Sequence, residues 1–129
     1  MQIKLTSPIY WTQTFKTKKD KVWLVGMNNY RNWHYHTSNK FKKEFGEVFK
    51  QQLSDISIKD QFTLHMDLYY KRICDGSNVV PLIEKVLLDV LQEEGVIVQD
   101  NVQYHLGTSW KVGGQDKNNP RIEITINTL

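Results

Sequence analysis

The feature that most constrains the fold is a strand-like segment that runs directly into a helix-like segment, between residues 61 and 95. Residues 61–71 alternate between apolar and polar side chains, which predicts a half-buried strand. Its apolar face comprises Phe62, Leu64, Met66, Leu68 and Tyr70. A helix is predicted to begin near Ser77 or Asn78 and to end before Gly95. Its apolar stripe, at helical spacing, comprises Val79, Leu82, Ile83, Val86, Leu87, Val90 and Leu91.

The flanking segments predict the rest of a single domain. Another amphipathic helix is expected from Ser38 to about Leu53. Segment 12–19 is expected to be a turn or loop, and segment 113–120 the loop of a hairpin. Further strands are expected at residues 2–5, 20–26, 102–111 and 121–126. The predicted fold is an α/β (α+β) domain over residues 1–129, with a mixed β-sheet of four to five strands and two main helices.

Charge is distributed unevenly along the chain. Residues 1–53 contain ten Lys and Arg against three Asp and Glu, whereas residues 54–129 contain seven against eleven. A basic half beside an acidic half is expected when one surface holds a polyanion and another holds its metal ion. The alternative is that the lysine-rich faces are only solvated, as most charge clusters are.

Cys74 is the only cysteine, so no internal disulfide can form, and this suits a reducing cytoplasm. The chain has no early apolar run like that of a signal peptide, and no stretch near the roughly 20 apolar residues of a membrane span. We therefore expect a cytoplasmic protein without a membrane partner.

Two acidic residues bracket the helix predicted after the alternating strand. Asp75 lies where the strand turns into the helix, and Asp100 follows the glycine that ends it. If the flanking strands pack side by side, the two carboxylates can meet. Such oxygens can hold Mg²⁺ or Mn²⁺ beside a phosphate, while a helical lysine offsets charge that develops in the transition state. This layout is what a metal-dependent phosphodiesterase requires.

The stretch from Asp75 to Asn101 resembles the core of the RusA-like Holliday junction resolvases, small nucleases common in phages and prophages. The shared pattern is Asp-X-X-Asn, a helix with a lysine and Leu-X-Asp-X-Leu, a glycine, and then Asp-Asn. The resemblance implies that Asp75 and Asp100 bind Mg²⁺ or Mn²⁺ and that Asn78 orients the metal ligands. It also implies that Lys85 stabilises the pentacovalent phosphate, which makes all four residues catalytic.

The sequence departs from the resolvase pattern at two positions. Ser77 stands where the second aspartate is usual, and Gln99 stands where another acid often precedes the final aspartate. The interval between the first acid and the lysine is also longer than in the founding members. Fewer carboxylates predict a weaker metal site, which Glu84, Asp67 or Asp89 could complete. Each of these three acids is equally explained as a solvated side chain, and Asp89 as the i,i+4 partner of a helical lysine.

Residues 28–36 are rich in asparagine and aromatic side chains and precede a lysine-rich helix start. We expect this region to contact the DNA backbone and to stack on unpaired bases at a branch point. The predicted DNA contacts are Asn28, Asn29, Arg31, Lys40, Lys42 and Lys43. The alternative is that Trp33 and Tyr35 are core or dimer residues. A zinc site is not expected, because the pair His34 and His36 has no further ligands at a recognised spacing.

Together these features predict a metal-dependent endonuclease that cleaves branched DNA. A homodimer is expected because two opposed strands must be cut, and no small organic cofactor is expected. The resemblance implies a phage or prophage origin and a bacterial host cell. One alternative is a branch-binding protein of the same fold whose cleavage is weakened or lost. Another is a phage α/β protein that binds a partner through exposed aromatic residues.

Overall fold

The computed structural model describes all of residues 1–129 and contains six strands and three helices. In chain order the elements are β1 (Gln2–Pro8), β2 (Tyr10–Gln13), β3 (Lys21–Leu24), α1 (Met27–Asn32), α2 (Tyr35–Lys50), β4 (Phe62–Tyr70), α3 (Gly76–Glu93), β5 (His105–Gln115) and β6 (Arg121–Thr128). The predicted mixed α+β fold class is confirmed. No helix combines the length and the apolar character needed to cross a membrane.

The main sheet has four strands in the order β1-β6-β4-β5. The strands β4 and β5 are parallel, and α3 connects them, so these three elements form a βαβ unit. Strand β6 is antiparallel to both β4 and β1. A separate antiparallel pair, β2 and β3, forms a hairpin between β1 and α1.

The core lies between one face of the main sheet and the helices α2 and α3. The predicted alternation of β4 is confirmed from Phe62 to Leu68, where every second side chain is buried. The predicted apolar stripe of α3 is also buried, with Val80 and Leu88 in addition. From α2 the core receives Phe41, Phe45 and Phe49. The two sequence periodicities therefore locate the core correctly.

The predicted hairpin around residues 113–120 is wrong, because β5 and β6 are not neighbours. They lie on opposite sides of β4, and β5 itself extends to Gln115. The connection passes the end of β4, where the Asp116 N–H donates to the Tyr70 carbonyl at 2.9 Å. Arg121 then binds Asp116 across the same connection at 2.8 Å. Strand β4 therefore lies between β5 and β6, although these two strands follow each other in the sequence and were expected to pair.

Two short elements were not expected from the sequence. Helix α1 has six residues and no buried side chain, so it leaves no apolar periodicity to detect. Strand β2 includes Thr12 and Gln13, which were expected in a loop. These residues are extended because they pair with Val22 and Lys21 of β3. Helix α2 begins at Tyr35, three residues earlier than expected, and His34 Nδ1 caps it by accepting from the His36 N–H at 3.2 Å.

A pair of leucine truncations tests this packing. Leu87 on α3 is 0 % exposed, whereas Leu129, which follows β6, is 70 % exposed. We expect Leu87→Ala to lower the free energy of unfolding by about 2–5 kcal/mol, because it leaves a cavity in the core. The matched change Leu129→Ala should lower it by less than about 1 kcal/mol. Urea unfolding followed by circular dichroism measures both, and equal losses would contradict the assigned faces.

Candidate functional site at the start of helix α3

A cleft of about 290 Å³ lies where α1 packs against the beginning of α3. It brings together residues of the predicted catalytic set and residues of the predicted DNA-binding set. The lining residues are Met27, Asn28, Arg31, Asp75, Ser77, Asn78 and Pro81. Residues about 45 positions apart in the sequence therefore line one cleft.

Asp75 caps α3 with one carboxylate oxygen and leaves the other free. Its Oδ1 accepts from the Ser77 N–H at 3.0 Å and from the Ser77 hydroxyl at 2.7 Å. The side chain is exposed at the cleft, and its Oδ2 makes no hydrogen bond within the chain. Ser77 supplies a hydroxyl where a second carboxylate was usual. One free carboxylate oxygen is therefore available here to a cation.

Cys74 precedes Asp75 and is partly buried. Burial raises the pKa of the Cys74 thiol above its ordinary value, and the neighbouring charge of Asp75 raises it further. The thiol is therefore protonated at neutral pH, which excludes it as an activated nucleophile in this site.

Asn78 holds α1 against α3. Its Oδ1 accepts from the Asn28 N–H at 2.8 Å, and so caps α1 from outside that helix. A Cβ on Gly26 would lie 2.4 Å from Asn78 Nδ2, so only glycine leaves room for this contact. The role that the resemblance implies for Asn78 stays a prediction. The structure adds a positioning role that its place in the motif did not reveal.

Trp110 packs beside the site, at Gly76, and sequence reasoning missed it. Its ring covers Gly76, where a Cβ would lie 2.3 Å from the indole. The side chain is 40 % exposed at the edge of the sheet, beside the residue that follows Asp75. Its position on β5 depends on the register between β5 and β4, where Trp110 pairs with Met66. No local sequence signal connects Trp110 with the start of α3.

Asp100 does not meet Asp75 within one chain, so the expected convergence of the two carboxylates is wrong. Asp75 follows the carboxyl end of β4, whereas Asp100 lies just before β5, whose first residue pairs with Phe62 at the amino end of β4. Helix α3 has 18 residues and therefore spans about 27 Å between these ends. A parallel strand pair joined by a helix places the two helix-flanking acids at opposite ends of the sheet. The metal role of each acid stays a prediction.

Away from its buried stripe, α3 carries Lys85 and Gln92, which are exposed, and Asp89, which is half-buried. Lys85 forms no ion pair, so the alternative that it pairs with Asp89 is wrong. Asp89 instead lies toward Lys42 of α2. The pKa of Lys42 is raised, chiefly by a polar contact with the Tyr30 side chain and to a smaller extent by the charge of Asp89.

The residues expected to contact DNA are divided among several surroundings. Asn28 and Arg31 line the cleft, whereas the Asn29 amide donates to the Leu24 carbonyl at 2.8 Å within the fold. Lys40 donates to the Thr14 carbonyl at 2.9 Å. Lys43 is exposed and without an ion pair. Of the six, Arg31 is the charged side chain directly at the cleft.

The aromatic segment before α2 has both a buried part and an exposed part. Trp33 belongs to a cluster of edge-to-face and tilted rings with Trp11, Trp23, Tyr30 and Phe41. Tyr35, by contrast, is 62 % exposed. For Trp33 the core interpretation is therefore correct. No group of three potential metal-ligating side chains, His34 and His36 included, is close enough to hold a metal ion.

Asp67, one of the acids that could complete a metal site, lies on the face of the sheet opposite α3. His65 bridges it to the neighbouring strand, with Nε2 at 3.1 Å from Asp67 Oδ1 and Nδ1 at 2.7 Å from Ser109 Oγ. Lys111 lies 3.9 Å from the same carboxylate. The sheet separates this cluster from α3, so the structure does not place Asp67 beside Asp75 within one chain.

No protein-family model matches the chain, and no curated protein matches it in sequence. The resemblance to the RusA-like resolvases therefore rests on the residues from Asp75 to Asn101 and stays a prediction. The cleft beside α3 gives that prediction a definite set of side chains to test.

The two roles of Asp75 can be separated by substitution. Asparagine is as good a helix cap as aspartate, whereas alanine is not. We expect Asp75→Ala to lower the free energy of unfolding by about 1 kcal/mol and Asp75→Asn to change it by only a few tenths. Thermal and urea unfolding of both variants measures this difference. Equal stability of the two variants would show that the cap of α3 does not depend on residue 75.

Proposed function

We propose that the protein is a metal-dependent endodeoxyribonuclease that cleaves branched DNA, Holliday junctions included, as a homodimer in the cytoplasm of a bacterial host. The observation that carries this proposal is the cleft in which Asp75 presents a free carboxylate oxygen beside Asn28 and Arg31. It combines a ligand for a hard cation with donors for a phosphate. The match to the resolvase motif supports the same assignment and a phage or prophage origin.

The donor atoms at the cleft fit Mg²⁺ or Mn²⁺ in kind but not in number. Hard cations bind carboxylate, carbonyl and hydroxyl oxygens, and Asp75 offers one such carboxylate. One chain brings no second carboxylate to it, because Asp100 lies at the other end of α3. When bound, the cation would supply positive charge to the phosphate and to the attacking water. A complete site therefore requires an acid from elsewhere.

A homodimer supplies that acid by symmetry. A two-fold axis perpendicular to α3 places the beginning of one helix level with the end of its symmetry mate. Asp75 of one protomer can then meet the partner subunit's Asp100, and the same contact recurs at the second site. Two equivalent sites, each built from both chains, suit a substrate in which two opposed strands are cut.

Strand β5 supports such a dimer. It is an edge strand of 11 residues, so the backbone N–H and C=O groups on its outer side have no partner strand. The strand contains no proline, so these groups could pair with a second chain. Two of its large apolar side chains, Trp110 and Val112, are 40 % and 55 % exposed. Antiparallel pairing of two β5 strands would cover these side chains. It would also bring the carboxyl end of one strand, near Asp75, to the amino end of the other, near Asp100.

In this proposal the remaining residues bind and orient the substrate. Arg31 holds a phosphate at the cleft, and Asn78 keeps α1 and the Asp75 turn in register. Lys85 lies on the same face of α3, unpaired, where its charge stabilises the negative phosphate in the transition state. Lys42 and Lys43 extend the positive surface along α2 without reading base sequence.

A second candidate function is branch binding without cleavage. The observation in its favour is that Ser77, and not an acid, is the nearest partner of Asp75. A site with two carboxylates per cation is weaker than one with three or four. This second candidate function predicts that the protein binds junctions but yields no cleavage product at any concentration of Mn²⁺, whereas the nuclease yields product.

Asp75→Asn and Asp100→Asn should each reduce cleavage of a four-way junction with Mn²⁺ by at least about 100-fold, because each removes a cation ligand. Binding of the same junction in EDTA should change little. The matched control is Asp20→Asn, an exposed acid in the β2–β3 loop, which should cleave as the parent does. A parent that binds junctions but never cleaves them would favour the second candidate.

Co-expression of the two inactive variants tests whether the site is shared between protomers. In a heterodimer of Asp75→Asn with Asp100→Asn, a shared site leaves one of the two sites intact. We expect the purified heterodimer to nick one strand of the junction, although both homodimers are inactive. If both acids belonged to one chain, each site would carry one substitution and the heterodimer would be inactive.

A further inference from the structure

A second cleft, of about 490 Å³, lies at the same end of the sheet as Asp75. Three segments distant in sequence form it: the β2–β3 hairpin, the residues that follow β4, and the β5–β6 connection. The hairpin contributes Tyr10 and Val22, and the other two segments contribute Lys71, Arg72 and Lys117. No acidic side chain lines it. The cleft is therefore cationic, with one aromatic wall.

The three cations of this cleft have no partner in the chain. None of Lys71, Arg72 and Lys117 belongs to any of the ion pairs. All three residues are exposed, so their side chains are free to bind a ligand with negative charge.

The acid nearest to the cleft in sequence is already neutralised. Asp116 precedes Lys117, but Arg121 binds its carboxylate at 2.8 Å, and the N–H groups of Asn118 and Asn119 donate to it. The hydrogen bond from Arg121, followed by the one from Asn119, holds the pKa of Asp116 below its ordinary value. Asp116 therefore shapes the connection and does not compete for the cleft's cations.

The position of the cleft indicates which anion it binds. Arg72 and Asp75 are three residues apart, so their Cα atoms lie within about 11 Å of each other. Along one DNA strand, phosphates advance by about 3.4 Å of helix axis per nucleotide. A strand with one phosphate at Asp75 would carry another phosphate only a few nucleotides away at Arg72. Tyr10 provides a ring on which an unpaired base can stack.

We propose that the cleft of Lys71, Arg72 and Lys117 binds the phosphodiester backbone of the nucleic-acid strand that passes the Asp75 cleft. Arginine can bind a phosphate through two parallel N–H donors, and the lysines add charge on either side. The inference rests on the proposed function for the identity of the substrate. It adds a second binding surface, separate from the surface of Arg31 and Lys42, that sets the direction in which the strand leaves.

The test measures binding without cleavage. A labelled four-way junction and a single-stranded oligonucleotide are titrated in EDTA over a series of NaCl concentrations. For Lys71→Gln/Lys117→Gln, we expect the slope of log affinity against log salt to fall by about one to two units, because two phosphate contacts are lost. Arg72→Gln alone should lower the slope by about one unit.

A matched control changes one lysine at the edge of the sheet opposite to the proposed dimer strand. Lys4 lies on β1, whereas β5 is the other edge, and like Arg72 it belongs to no ion pair. Lys4→Gln removes the same charge as Arg72→Gln and should keep the slope of the parent. Equal slopes for the cleft variant and the control variant would overturn the proposal, as would a parent that binds neither DNA in EDTA.

Free inorganic phosphate carries the same anionic group as the DNA backbone and could occupy the same cleft. Sodium phosphate at matched ionic strength should displace DNA no better than NaCl does if the cleft follows a backbone. Specific displacement by phosphate would overturn the assignment to a nucleic-acid strand. A parent that shows the cleft-dependent slope but no cleavage with Mn²⁺ would support this inference and contradict the nuclease. If the parent cleaves junctions but the cleft variant keeps the salt slope of the parent, the nuclease is supported and this inference is contradicted.

Discussion

The parallel pairing of β4 with β5 is the constraint on which the rest of this structure depends. Parallel neighbours need a crossover, and α3 provides it while burying its apolar stripe against the sheet. The same pairing forces β6 to the far side of β4 and leaves β5 as an unprotected edge. It also separates Asp75 from Asp100 by the length of α3. The need for a second chain in the proposed nuclease follows directly from this geometry.

The start of α3 shows how one short segment can serve both the fold and the proposed chemistry. Asp75 caps the helix through one oxygen and keeps the other free, and Asn78 caps α1. Gly26 leaves room for the Asn78 amide, and Gly76 leaves room for Trp110. The close packing fixes Asp75 relative to Arg31, because α1 cannot move without breaking the Asn28 to Asn78 hydrogen bond.

The charged side chains at the end of β4 fall into two groups: those held in ion pairs within the chain and those that have no partner. Arg121 is held between Asp116 and Glu123 and over the ring of Tyr69, so it stabilises the β5–β6 connection and the sheet. Lys71, Arg72 and Lys117 have no such partners, although they lie nearby. Positive surface is therefore not confined to residues 1–53, because Lys71, Arg72 and Lys117 belong to the part of the sequence with more acidic than basic residues.

The sequence by itself determined the fold class, β4, most of α3 and α2, and the core side chains, because hydrophobic periodicity over long segments reports which face is buried. It also predicted functional roles for Asp75, Asn78, Asn28 and Arg31, which line one cleft in the structure and whose roles stay predictions. Only the tertiary structure decided strand order, the separation of Asp75 from Asp100, the packing of Trp110 on Gly76, and the cleft that Arg72 lines. These features depend on pairing between segments distant in sequence. Periodicity carries no information about such partners, because each strand's alternation is satisfied equally well beside any neighbour.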